Sequence, residues 1–270
     1  MAEDAIKAIA TIDEREVWAR IGEVLDPELD RSLDTLGFVD QVTISGGEVS
    51  VRLRLPTYWC APNFAFLMAA DLRDHIRQAR GVERVTVRVE DHFASGEISA
   101  GVNAGQPFSA VFPGDADGEL DELRRTFAVK AFLVRQEQML RALMRAGIAD
   151  TQVTRLTLAD LRVDGSDVLA RAPGEREWRR APGLAHIFGL WRIKRAALGL
   201  SAPTRDAPCF TTADGAEIPA EALPEHLRSA RMIRLNGAFN TLLCTGLGAV
   251  RYGVGARDGE PASEQAASDG

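Results

Sequence analysis

The side chains whose types could do chemistry are Cys60, the acidic pair Asp26 and Glu28, and the set Asp91, His92 and Glu97. A cysteine acts through its thiolate, which binds soft metals or attacks electrophiles. Asp26-Pro27-Glu28 puts two carboxylates on one turn, and Asp91, His92 and Glu97 are a hard ligand set suited to iron or manganese. Each has a plainer reading beside it. Free cysteines are commonly small buried apolar residues. An acidic turn can be only a turn, and closeness in sequence does not make three ligands converge. His186, Cys209, His226 and Cys244 can be assembled into a metal site on paper, but their spacing matches no known ligand pattern.

The elements around Cys60 give it a place. Val49, Val51, Leu53 and Leu55 alternate with Ser50, Arg52 and Arg54, the period of a half-buried strand. Pro56 cannot donate to a ladder and ends it. Pro62 suits a first helical turn, and Phe64, Leu67, Met68, Leu72, Ile76 and Ala79 then recur at three- and four-residue steps. Cys60 is therefore expected in a strand-to-helix turn. Unpaired N–H groups and the helix dipole there favour a thiolate. A nucleophile would also need a base. His75, on the same helix, stands about 20 Å along it from the turn.

Upstream, Thr11-Ile12-Asp13-Glu14 and Asp13-Glu14-Arg15-Glu16 both fit a helix start, and Val17, Ile21, Val24 and Leu25 form an apolar face. Pro27 ends that helix at the acidic turn. Phe38, Val42 and Ile44 are spaced for a strand, and Gly46-Gly47 is a hairpin signal into the strand before Cys60. Gly81 fits the C-cap of the helix after Cys60. Val85, Val87 and Val89 alternate in a third strand, which a helical crossover makes parallel to its neighbour. The expected fold class is α+β: a small two-layer α/β domain (helix, β-hairpin, helix, strand) followed by a mainly α-helical region. The expected boundaries are 1–95 for the first domain, 96–118 for a Gly- and Pro-rich connector, 119–254 for the helical extension and 255–270 for a disordered tail. Within the extension, 119–146, 184–198, 219–231 and 236–247 read as helices and 150–182 as mixed structure.

Bulk properties narrow the classes. The 270 residues are 46% hydrophobic and 26% charged, which suits a globular protein with one large or two smaller domains. A net charge of −7 argues against a general nucleic-acid binder. Three scattered cysteines do not make a disulfide framework, and no long apolar run marks a membrane span or leader. The expectation is a cytoplasmic protein with no nucleic-acid or membrane partner.

Asp26-Pro27-Glu28-Leu29, Leu36-Gly37-Phe38-Val39, the paired strands, Cys60-Ala61-Pro62 and Gly81-Val82-Glu83-Arg84-Val85-Thr86-Val87 together resemble the metal–sulfur cluster assembly factors, the small SufT-like and PaaD-like domains related to the eukaryotic cytosolic iron–sulfur targeting factor. The resemblance covers about the first third of the chain. It implies that Cys60 matches the family cysteine, and that Asp26 and Glu28 match its acidic turn. Such proteins help assemble or deliver iron–sulfur clusters, or mature iron enzymes, by binding partners and transient metal and without turnover chemistry. Here Tyr58 and Trp59 stand before the cysteine and Ala61 after it, where the family usually has Thr-x-Pro-x-Cys-Pro. There is no cysteine-rich tail and no Walker-type lysine motif. One cysteine cannot complete a four-thiolate site.

The resemblance thus implies a non-catalytic maturation factor, a cytoplasmic metal-binding or chaperone-like accessory protein. Its cargo is a transient iron or iron–sulfur cluster, and its partner is iron–sulfur assembly machinery or a client iron enzyme such as a bacterial oxygenase component. Cys60, Asp26 and Glu28 are the expected handling residues, with Asp91, His92 and Glu97 as further candidate ligands. The alternatives are a structural or chaperone-like subunit of a di-iron monooxygenase system that handles no metal, and a Cys60-dependent enzyme.

Overall fold

A computed structural model describes residues 12–114, 119–200 and 208–253. The expected disordered tail and the first eleven residues lie outside them. The chain divides into two compact units, one formed by Met1–Asp121 with Ala238–Gly270, the other by Glu122–Gly237.

In the first unit α1 (Glu14–Gly22) is capped by Asp13, whose side chain accepts the Arg15 N–H. It buries Val17 and Ile21. The short strands β1 (Leu25–Asp26) and β2 (Arg31–Ser32) pair antiparallel across the acidic turn. The acidic turn therefore joins two strands and does not end α1, which has already stopped at Gly22. Three longer strands, β3 (Val39–Ser45), β4 (Glu48–Arg54) and β5 (Arg84–Glu90), form a sheet in that order. β3 and β4 are an antiparallel hairpin turning at Gly46, whose φ is +58°. β4 and β5 are parallel, with Val49 opposite Val85 and Leu53 opposite Val89.

The crossover between them is α2 (Pro62–Ile76), which covers one face of the sheet. Val49, Val51 and Leu53 are buried with Val85, Val87 and Val89 in one core with Met68, Leu72 and Ile76 of α2. Burial of a single such side chain is worth about 1.5–3 kcal/mol. The opposite face carries charge: Arg54 pairs with Asp40 at 3.0 Å and Glu90 at 3.3 Å, linking all three strands.

Residues 96–118 are more than the expected connector. They hold α3 (Ser95–Asn103, which begins one residue earlier) and α4 (Phe108–Val111). Ile98, Val102 and Phe108 are buried in the same core. Gly101 stands where any Cβ would collide with Val111. α3 also closes the free edge of β5: Asn103 Oδ1 accepts the Val87 N–H at 2.9 Å, its Nδ2 donates to Val87 O at 2.8 Å, and Ser99 Oγ accepts the Val89 N–H at 2.9 Å. The glycines in this stretch punctuate helices where a loop was expected.

The second unit holds α5 (Glu119–Arg145) from Glu122 on, α6 (Asp150–Val153), and an antiparallel sheet of β6 (Leu161–Asp164), β7 (Asp167–Ala170) and β8 (Arg179–Ala181). α7 (Ala185–Ala197) and the start of α8 (Leu223–Tyr252) complete it. Its core gathers Phe132, Met139, Leu140, Trp191 and Phe210. The two final helices expected at 219–231 and 236–247 are one. No proline or glycine interrupts Arg231 to Asn236, so the helix runs through.

Candidate functional site

Cys60 stands at the mouth of the crossover, after β4 and directly before Ala61, the N-cap of α2. Two loops are tied together here. Phe93 N–H donates to Tyr58 O at 3.2 Å. His92 Nδ1 accepts the Ala94 N–H at 3.1 Å, so Nε2 carries the hydrogen and donates it to Cys60 O at 2.7 Å. His92 is buried and both ring nitrogens are engaged. It positions the Cys60 backbone and has no lone pair left for a metal.

Asp91 and Glu97 are exposed, while His92 points into the core. The structure does not bring the three together, and among the described residues no group of three or more His, Cys, Asp or Glu side chains is arranged to hold a metal ion. That also removes the paper site of His186, Cys209, His226 and Cys244. Cys209 is buried and its S–H donates to Leu156 O at 3.0 Å.

The acidic turn is built by its own first residue. Asp26 Oδ1 accepts the N–H groups of Glu28 at 2.9 Å and Leu29 at 2.8 Å. Asp26 is 8% exposed. Burial pushes its carboxyl up to about 6 against the pull of those two N–H groups, and the Glu28 charge adds to the rise. The charges of the turn act on Cys60. Burial, then Asp26, Cys244 and Glu28, push the Cys60 thiol up to about 12, with only the Ala61 N–H acting the other way.

The thiolate expected at a helix N-terminus is thus corrected to a neutral thiol. A helix terminus is worth roughly 0.3–1 kcal/mol, less than one pKa unit. Desolvation and neighbouring acids exceed it here.

Cys244 is the neighbour that sequence spacing could not supply. It lies on the C-terminal half of α8, which belongs to this unit, and packs against the same core as Cys60. Asn240, one turn earlier, donates from Nδ2 to Glu28 Oε1 at 2.9 Å. Two turns past Cys244, Tyr252 Oη donates to Leu55 O at 3.1 Å and Arg251 to Asp91 O at 2.9 Å. Burial, then Asp26 and Glu28, raise the Cys244 thiol too.

An aromatic rim borders the site. Trp59 is 76% exposed, and its ring lies 4.9 Å from Tyr58 and 5.5 Å from Phe93, both partly exposed.

The first unit thus combines a hairpin, a crossover helix and a parallel strand, with a cysteine at the crossover mouth. Comparison with family models makes this specific: residues 14–89 match the iron-sulfur cluster assembly protein family, so the N-terminal region carries an iron–sulfur assembly domain. The match ends before α3 and covers none of the second unit. Comparison with curated proteins finds no match. Among the described residues no helix is long and apolar enough to cross a membrane.

Proposed function

We propose that this chain is a non-catalytic accessory factor in the assembly of iron–sulfur clusters or iron centres. Cys60, Asp26 and Glu28 handle the cargo, and an iron enzyme, an oxygenase component, receives it. The observation that carries this reading is the match of residues 14–89 to the iron–sulfur assembly family, in which Cys60 sits at the mouth of the crossover helix with a thiol raised by burial and then by Asp26, Cys244 and Glu28. The charges of Asp26 and Glu28 oppose loss of the Cys60 proton. Iron arriving at the site would displace the thiol proton, since a ligating cysteine must be deprotonated. A thiol that holds its proton this firmly retains metal weakly at neutral pH, which suits passing cargo on. The exposed Trp59, Tyr58 and Phe93 rim offers a client aromatic contact next to the cargo.

The enzymatic alternative has less support. Cys60 is a neutral thiol, the His92 nitrogens are both engaged, and His75 Nδ1 is hydrogen-bonded to Asp71 O at 2.9 Å. The test is co-expression of the candidate client with wild-type chain or Cys60→Ala. The expected outcome is client capture unchanged and client iron reduced at least several-fold. Fully metallated client with Cys60→Ala would replace this reading with that of a structural subunit.

A further inference from the structure

We propose that the outer face of the C-terminal half of α8 is a self-association surface, on which a second copy of this chain lays its own α8 in antiparallel sense. This inference does not depend on how Cys60 acts. Asn240, Arg251 and Tyr252 bond that half of the helix to the assembly domain, through Glu28, Asp91 O and Leu55 O. The side turned away should be polar, as the free side of a surface helix is. Here it carries Phe239, Leu242, Leu243, Gly246, Leu247 and Val250, all exposed, the five larger side chains by 47–88%. They recur at three- and four-residue steps, hence on one stripe. No charged residue stands between Arg234 and Arg251. A helix apolar on both sides is one that is covered on both sides.

Three observations name the cover. The first is the pattern. The six positions read the same from either end, in steps of three, one, three, one and three. Laid antiparallel about a point between Cys244 and Thr245, Phe239 meets Val250 of the second copy, Leu242 meets Leu247 and Leu243 meets Gly246. A two-fold interface needs such a patch, one that is its own complement. Among the described residues no atom outside the helix comes within 4 Å of where a Gly246 Cβ would stand. A glycine inside a helix costs about 1 kcal/mol against alanine, and a second helix in close approach is what would use it.

The second observation is area. Five large apolar side chains at this exposure present on the order of 500 Å², so two copies together bury about 1,000 Å², the level a specific interface must reach. The third is charge. Beyond α8 the chain carries Asp258, Glu260, Glu264 and Asp269 against Arg257 alone. The antiparallel sense leads this acidic stretch toward the first half of the other copy's α8, where Arg228, Arg231 and Arg234 outnumber Glu225. It also sets helix ends of opposite dipole together. A parallel sense would bring acidic stretch beside acidic stretch. A lipid surface fits less well, because interfacial helices border their apolar face with lysine and arginine. Each α8 would then be covered by its own assembly domain on one side and by its copy on the other.

The test is sedimentation velocity of the reduced full chain over a wide concentration range, comparing wild type with Leu242→Glu and Val250→Glu. These positions are 72% and 88% exposed, so a glutamate there leaves the fold intact, which circular dichroism checks. The expected result is a wild type that reaches twice the monomer mass in the micromolar range, and dimerisation weakened at least tenfold in both variants. Direction is read by oxidising Phe239→Cys and Val250→Cys, singly and mixed, against wild type as background. A crosslink in the mixture well above either variant alone is expected. Equal crosslinking of each variant alone would overturn the antiparallel register. A wild type still monomeric at roughly 100 μM overturns the proposal, as does a dimer that neither glutamate weakens. A monomer that sediments with phosphatidylcholine vesicles overturns it in favour of lipid.

Discussion

One buried network in the second unit and the acidic cluster around Cys60 in the first treat their polar groups in opposite ways. In the second unit Gln136 is fully buried, and its amide donates to Thr211 O at 2.7 Å and accepts from Trp191 Nε1 at 3.3 Å. Arg195 donates to Thr211 Oγ1 at 2.8 Å and to Cys209 O at 3.3 Å, and the buried Glu137 pairs with Arg141 and, at 3.1 Å, with Arg234. Donors there meet acceptors and charges meet opposite charges, as a core requires. In the first unit burial and the neighbouring acids push Asp26, Cys60 and Cys244 the same way, toward holding their protons. One network holds its unit together. The other carries an electrostatic cost, a pattern that marks a candidate site.

Three measurements can break that contrast. The largest effect is expected in the second unit. Gln136→Leu leaves the Trp191 N–H and the Thr211 carbonyl without a partner, and should cost about 2–4 kcal/mol in urea unfolding. A loss near zero would mean that this network is no more structural than the acidic cluster.

The next effect has the opposite sign. The Asp26 carboxyl is raised from 3.8 to about 6, so the folded state binds its proton more tightly than the unfolded chain does. The stability this gives is fully present below pH 3.8 and is lost as pH rises toward 6. Asp26→Asn retains an oxygen for the Glu28 and Leu29 N–H groups and has no proton to lose. Its stability relative to wild type should therefore grow by about 2–3 kcal/mol between pH 4 and pH 7. A flat difference across that range would show that Asp26 is solvated.

The smallest effect is a rate. Asp26→Asn removes one of the charges that hold Cys60 protonated, so alkylation of Cys60 at pH 8, followed by peptide mapping, should quicken several-fold while Cys209 stays unreactive. Labelling of Cys209 before Cys60 in either protein would invert the comparison.

The parts legible in the sequence were those fixed by neighbours along the chain. The alternation from Val49 to Leu55 and the proline at 62 locate β4, α2 and the turn holding Cys60. The apolar face from Leu120 to Leu143 locates α5 nearly to its ends. Even here α2 stops at Ile76, short of Gly81, which takes its positive φ of 80° in the turn beyond. The parts that stayed hidden depend on packing. The strands β6 to β8 are only three or four residues long, too short for a period to show. The protonation of Cys60 follows from burial that no local pattern records. Cys244 reaches the site because α8 continues without a break, and nothing in its own stretch marks it as a partner of Cys60.

The side-chain ladder that Asn103 and Ser99 make along β5 has a consequence for how this domain meets other proteins. An open strand invites another chain to extend the sheet, in recognition or in fibre growth. On β5 the N–H groups of Val87 and Val89 and the carbonyl of Val87 are already taken from within. At the opposite border, β3 carries a register irregularity between Val39 and Gln41 that disrupts a flat template. Sheet extension is thus discouraged at both margins, and the domain can be crowded among partially folded chains without templating their strands.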